Sequence, residues 1–250
     1  NNTYHYKTAT FDVNGDLANM DPGDNFYLFD SKVNVYYGLT DWLTLFGGSG
    51  LRYVESDTTS QTVSNFNIEH FNFGARLNFS EFAGVIGSMD LEFTQKAYTN
   101  NFYSAGSVPA DEQILGNDGL FYRVGVNLTK VLAPSHLLQT KVFYKRTPSY
   151  LGNEINYDFN YLYQGETFNL ALGGLGIYSL GDHPFSNDVT SNPAVARGVT
   201  SLYNGINQEE FSPYVQLGLT VGKFNLVTRA LKTISDVDTD EAFRFQVDLS

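Results

Sequence analysis

The run His70-Phe71-Asn72-Phe73-Gly74-Ala75-Arg76-Leu77-Asn78-Phe79 alternates between two kinds of side chain along its whole length. Phe71, Phe73, Ala75, Leu77 and Phe79 fall on one face, and His70, Asn72, Gly74, Arg76 and Asn78 on the other. A period of two is that of a β-strand, whose successive side chains point to opposite faces. After a break at Ser80–Gly87, Met89, Leu91 and Phe93 resume the apolar face against Asp90, Glu92, Thr94 and Lys96. Each strand of this hairpin reaches the roughly 9–11 residues with which a tilted strand crosses a bilayer. The rest of the chain decides whether the apolar face meets a protein core or lipid.

Working outward from the hairpin, the same alternation recurs. Thr3–Val13 reads as a first strand of uneven phase. Tyr27, Phe29, Val33, Val35 and Tyr37 make a second, opposed by Asp30, Lys32 and Asn34. After the turn Gly38–Trp42, Leu43, Leu45, Leu51 and Tyr53 oppose Thr44, Gly48, Gly50 and Arg52, and Glu55–Phe66 reads as a polar loop. Beyond the hairpin and the loop Asn100–Asp118, Tyr122, Val124, Val126 and Leu128 stand against Arg123, Gly125, Asn127 and Thr129. Lys130–His136 turns the chain into Leu138, Val142 and Tyr144, opposed by Gln139, Lys141 and Lys145. Thr147–Glu154 is a loop, Tyr157–Tyr163 a strand, and Thr167–Leu180 an apolar run of unclear phase. The connection Gly181–Glu210 leads to Val215–Val221, Phe224–Ile234 and a last strand on Phe243, Phe245, Val247 and Leu249.

About twelve strands result. The connections after the second, fourth, sixth, eighth and tenth are short and most of the others are longer, which is the pattern of an outer-membrane barrel. The predicted fold is all-β, a transmembrane antiparallel up-and-down barrel with short periplasmic turns and long extracellular loops, residues 1–250 forming a single domain. An even strand number places both termini at the periplasmic rim.

Alternation alone suits a soluble all-β domain equally well, so other features discriminate. Strands of soluble proteins average about 5–6 residues, and these are about twice as long. Tyr27, Tyr37, Tyr53, Tyr122, Tyr144 and Phe243 gather near strand ends, as an interfacial girdle requires. The polar face mixes both signs of charge with Gly and Asn, which suits a wet interior better than a Lys/Glu exterior. Closure follows, because only a closed barrel satisfies every backbone group in hydrocarbon. The expected location is the bacterial outer membrane, with lipid and lipopolysaccharide as partners of the outer face.

Composition narrows the function classes. The 250 residues carry a formal net charge of −12 and no Cys, with 17 Tyr and 20 Phe. Lack of Cys excludes a disulfide scaffold and thiolate metal sites, and the acidity argues against nucleic acid as a partner. No apolar stretch is long enough for a membrane helix. The chain opens at Asn1-Asn2-Thr3 without a basic or apolar leader, as expected of a mature exported protein.

Tyr36-Tyr37-Gly38-Leu39-Thr40-Asp41-Trp42-Leu43 resembles the strand–turn–strand start common in the transporter family of phenol meta-pathway degradation. That resemblance implies an outer-membrane barrel of similar length. Members often carry a basic residue where Trp42 stands, and outer-membrane barrels usually end on an aromatic residue, whereas this chain ends Val247-Asp248-Leu249-Ser250. That departure implies an atypical or trimmed assembly signal. In strand count the chain also resembles the oligogalacturonate porins and nucleoside channels.

Motifs for enzyme chemistry are missing: there is no Gly-x-Ser-x-Gly, His-Glu-x-x-His, P-loop or Gly-x-Gly-x-x-Gly. None of His5, His70, His136 and His183 is followed by Ser two residues on, as in the outer-membrane phospholipases. Asp236, Asp238, Asp240 and Glu241 lack the Gly of an EF-hand and read as a solvated acidic loop. No enzyme, cofactor or metal is expected.

By phase, Lys32, Arg52, Arg76, Lys96, Arg123, Lys141, Lys145, Arg229 and Arg244 face the interior, against Asp30, Asp90, Glu92, Asp158 and Asp248. Within this set Lys32, Arg76, Asp90, Glu92, Lys96, Arg123, Lys141, Arg229 and Arg244 are the candidate pore-lining residues. A basic excess of this kind favours anionic solutes. The expected function is passive passage of small solutes, anionic or aromatic. The alternative is a structural or surface-interaction barrel with a blocked lumen. In the longest connection, Val195, Val199, Leu202 and Tyr203 recur at helical spacing behind Pro193, so Ala194–Tyr203 is expected to form a helix at the outer mouth, with Arg197 as a constriction residue.

Overall fold

The computed structural model describes residues 2–11, 17–19, 22–57, 62–97, 120–146, 153–180, 209–222, 224–237 and 240–249. These form β1 (Asn2–Phe11), β2 (Leu17–Asn19), β3 (Asn25–Gly38), β4 (Leu43–Asp57), β5 (Thr62–Phe82), β6 (Val85–Lys96) and β7 (Leu120–Ala133). There follow β8 (His136–Arg146), β9 (Asn153–Gln164), β10 (Phe168–Leu180), β11 (Glu209–Val221), β12 (Phe224–Lys232), β13 (Ser235–Val237) and β14 (Asp240–Leu249). No helix occurs among the described residues. Each long strand pairs antiparallel with its neighbours in sequence, and β1 pairs with both β14 and β3. Twelve strands therefore close into a barrel, while β2 and β13 extend the wall at one rim by pairing with the ends of β1 and β11.

The two faces of the hairpin separate as the alternation requires. Phe71, Phe73, Ala75 and Leu77 pair across β6 with Gln95, Phe93, Leu91 and Met89 on the outside, and His70, Asn72, Gly74 and Arg76 with Lys96, Thr94, Glu92 and Asp90 on the inside. The apolar residues carried outward are exposed all round the ring, among them Val35 at 70%, Phe73 at 58%, Leu172 at 54%, Leu217 at 54% and Phe245 at 49%. Such a continuous exposed apolar belt is far beyond the patches that soluble monomers tolerate. Charged residues of the outer face, such as Lys130, Arg146 and Lys232, stand at or near strand ends. Tyr27, Tyr53, Tyr122, Tyr144 and Phe243 sit on the outer face near the rim of the longer connections, and Tyr37 near the opposite rim.

Several strands run further than their apolar alternation suggested, because backbone pairing continues past the belt into polar sequence. β4 and β5 pair to Asp57↔Thr62, so most of the expected loop Glu55–Phe66 is strand. The break at Ser80–Gly87 contracts to Ala83-Gly84, both with positive φ (52° and 72°), as in a type I′ hairpin. The turn expected over Lys130–His136 shrinks likewise, since β7 runs to Ala133 and β8 starts at His136. β9 begins at Asn153 and β11 at Glu209, inside segments expected to be loops. The acidic run is also largely paired: Asp236 lies opposite Glu210, and Asp240 and Glu241 opposite Thr10 and Ala9. The helix expected over Ala194–Tyr203, with Arg197, lies outside the described residues. The family-like stretch Tyr36–Leu43 forms the end of β3, a turn closed by Leu39 N donating to Leu43 O (2.9 Å), and the start of β4.

Inward-facing glycines leave hollows in the wall that rings from neighbouring strands fill. A Cβ added to Gly125 would overlap the Phe143 ring and come within 2.6 Å of the Val142 carbonyl oxygen. At Gly173 it would lie 2.6 Å from the Tyr214 ring, and at Gly74 it would overlap Phe46. These aromatic rings therefore lie against the wall. Gly125→Ala should cost about 1–3 kcal/mol by overpacking, read from urea unfolding in detergent micelles. Gly38→Ala, where nothing lies within 4 Å of the added Cβ, should stay within about 0.5 kcal/mol of the parent. Equal losses at the two positions would show that the Phe143 ring does not depend on the missing Cβ.

Candidate functional site in the barrel interior

The nine cations and five carboxylates expected inside all take inward register positions. Three further carboxylates, Glu69, Glu154 and Glu210, join them, each bound to an inward cation. Lys7 is also inward, opposite Phe26 and 5.7 Å over its ring. Ten cations and eight carboxylates with described side chains thus line the interior, and Asp236 and Asp240 take inward register positions as well, so the basic excess is smaller than phase counting suggested.

Glu154 and Glu210 share the phase of Asp158 and Tyr214, so carrying the alternation back through the expected loops would have found them. Glu69 could not be found that way. Gly50 pairs with His70 but Leu51 with Ile68, so Glu69 is the extra residue of a β-bulge. The bulge lets adjacent residues both reach inward: Arg52 Nη1 binds Glu69 at 2.8 Å, and His70 Nδ1 lies 2.9 Å from Glu69 Oε2. Arg52 also grips Asp30 with Nε and Nη2, at 2.5 and 2.9 Å.

Four more clusters line the wall. Arg76 binds Asp90 in a two-pronged contact at 2.7 and 2.8 Å, and Asn127 Nδ2 donates to Asp90 at 3.0 Å and to Ser88 at 3.1 Å. Glu92 accepts from Arg123 at 2.5 Å and from Lys32 at 3.5 Å. Lys32 reaches Glu92 across two intervening strands, whose inward residues here include Gly48, Gly50 and Gly74. Asp158 accepts from Tyr214 Oη at 2.6 Å and from Arg229 Nη1 at 3.3 Å, while Arg229 donates to Gln216 at 2.8 Å and lies 4.1 Å over the Tyr214 ring. Glu210 accepts from Arg244 at 2.7 Å and from Ser212 Oγ at 2.7 Å. A further pair, Lys145 with Glu154 at 3.0 Å, completes the set. Lys96 faces His70 across the hairpin, and Asp248 faces Val227.

Height along the barrel sorts these groups. Lys32, Arg76, Asp90, Lys141, Asp158 and Arg229 each stand five or six residues from the short-turn end of their strand. They form a charged belt near mid-barrel. Of its cations, Lys141 is exposed, the side chains of Arg76 and Lys32 are 39% and 32% exposed, and Arg229 is largely covered at 17%; higher in the barrel Arg123 is 38% exposed. Their carboxylate partners Asp90 and Glu92 are tucked against the wall, at 9% and 7%.

No protein-family model and no curated protein matches the chain. Solved structures do. The COG4313 outer membrane channel from Pseudomonas putida F1 aligns over 99% of this chain and 92% of its own, with a TM-score of 0.67 at 13% identity. The NanC porin aligns over 100% of this chain and 98% of its own, with a TM-score of 0.50 at 7% identity. At such identities a likeness establishes fold alone. This chain has the fold of outer-membrane β-barrel channels.

Proposed function

We propose that the chain is an outer-membrane channel through which small solutes pass passively, with a modest preference for anions. The observation that carries this reading is the wet interior. A barrel filled by its own side chains buries them at mid-height, yet here Lys141 is exposed and Arg76 and Lys32 keep 39% and 32% of their side-chain surface open. Inward glycines contribute by letting Phe143, Tyr214 and Phe46 lie against the wall. Twelve strands also make a ring between the small filled barrels and the open porins of about 16–18 strands.

The outer face supports membrane residence. Its uncharged belt of Val, Leu and Phe meets lipid in this reading, with tyrosines at headgroup level and lipopolysaccharide against the outer leaflet side. Inside, partly exposed cations stand over carboxylates tucked against the wall, which favours anions. Arg123 lies 4.6 Å over Phe143 and Arg229 lies 4.1 Å over Tyr214, so these rings present guanidinium rather than bare aromatic faces to a solute. The interior therefore supports the anionic class over the aromatic one. The COG4313 channel and the NanC porin, which share the fold, are by their own descriptions a channel and a porin, not enzymes.

Two measurements test this. In planar bilayers the purified protein should give stable steps of ion current; a well-inserted but silent barrel would show the lumen to be blocked. Leu77→Arg, on the outer face at belt height, should cost about 2–4 kcal/mol of stability in lipid vesicles. Asn78→Arg, one residue on and facing inward, should lie within about 0.5 kcal/mol of the parent. Comparable losses at both positions would contradict a lipid-facing exterior.

A further inference from the structure

We infer that Lys141 sets the anion preference of this channel, and that the solutes it favours are monovalent anions rather than polyanions; the inference rests on the channel reading above. Every other inward cation among the described residues is engaged. Arg52, Arg76, Arg123, Lys145, Arg229 and Arg244 each hold a carboxylate, and Lys32 shares Glu92. Lys7 and Lys96 have partners too. Lys141 alone has neither ion pair nor hydrogen bond among the described residues.

Its register explains why. Lys141 lies between Asn127 on β7 and Asp158 on β9. Neither partner is turned to it: Asn127 directs its Nδ2 at Ser88 and Asp90, and Asp158 accepts from Tyr214 and Arg229. Lys141 is exposed, as a residue, at mid-barrel. The charges that act on it are Asp158, Arg229, Arg76 and Asp90. Within this group two arginines cancel two carboxylates, and the Lys141 charge remains.

A paired cation presents a dipole to a passing ion, and a dipole's field falls off faster than that of a free charge. Selectivity at the belt therefore comes from Lys141, with the paired arginines as a nearly neutral wall. The same count limits the valence of the solute. Holding a polyanion takes several free cations, and recruiting Arg76 or Arg229 would strip a partner from Asp90 or Asp158. Uncovering a buried carboxylate in that way is strongly unfavourable. One free charge suits one negative charge.

Reversal potentials in planar bilayers under a potassium chloride gradient test the assignment. The parent channel should favour chloride, and Lys141→Gln should lower the chloride-to-potassium permeability ratio about fivefold, the factor equivalent to ~1 kcal/mol between unit charges ~4 Å apart in water. Lys141→Arg should keep the parent ratio, and the current steps of each variant show that it has folded. Replacing chloride by acetate should preserve anion selectivity, whereas citrate should permeate less than acetate and leave the chloride current unblocked. A Lys141→Gln ratio equal to the parent's, or citrate outcompeting acetate, would overturn the inference while leaving the channel reading intact. A conducting parent without anion preference would overturn the inference together with the anion preference of that reading. A silent parent protein would overturn both.

Discussion

β1 hydrogen-bonds to β14 on one side and to β3 on the other, and that closure is the constraint on which the rest of the molecule depends. An open sheet would present two edges of unpaired N–H and C=O groups, costly in hydrocarbon and prone to aggregate in water. Once the ring is closed, alternation acquires a fixed meaning: one face of every strand is outside and the other is inside. The exposed Val33, Val35, Phe73 and Leu217 are then the consequence of one topological fact. Bulges give the ring local freedom without opening it, as at Glu69, where one extra residue changes which side chains reach Arg52.

A ring of twelve strands lies between the small barrels that side chains fill and the open porins of about 16–18 strands. This chain lines the interior of its ring with hydrogen-bonded charge. Most of the ion pairs link a strand to its neighbour: Asp30 to Arg52 joins β3 and β4, Arg76 to Asp90 joins β5 and β6, Glu92 to Arg123 joins β6 and β7, and Lys145 to Glu154 joins β8 and β9. A slip of one strand by one residue would turn its partner of the pair to the outer face and leave the other uncovered inside, so the pairs hold register from within. Aromatic rings over inward glycines do the same by shape. The formal charge of −12 for the whole chain gives no hint of this interior, where cations stand over carboxylates tucked against the wall.

Much of this was legible in the residues themselves. Strict alternation in His70–Phe79 gave strand, face and hairpin, and it turned Lys32, Arg76, Lys141 and Arg229 inward as the pairings confirm. What period two cannot supply is anything that depends on the strand next door. Glu69 was hidden because a bulge breaks the phase, and only the register with Gly50 reveals it. Glu154 and Glu210 were hidden because polar sequence above the apolar belt reads as loop, although its backbone goes on pairing. Above all, a run of residues shows which charges face inward but not which of them meet. Arg76 and Lys141 look equivalent in sequence; one has Asp90 directly opposite, and the other faces an Asp158 already claimed by Tyr214 and Arg229.

That difference separates two tasks that a charged interior would otherwise perform with the same residues. Arg76, Arg123 and Arg229 hold carboxylates of other strands, and their charge is spent on keeping the wall in register. Lys141 takes part in no such contact, so the wall loses little without it and the belt loses a charge that holds no carboxylate. A channel built this way can change its preference at a single inward position without disturbing the pairings that close it. Replacing an arginine partner instead would leave a carboxylate such as Asp90, at 9% exposure, uncovered against the wall. Stability and selectivity are therefore carried by different cations at the same height of the same ring.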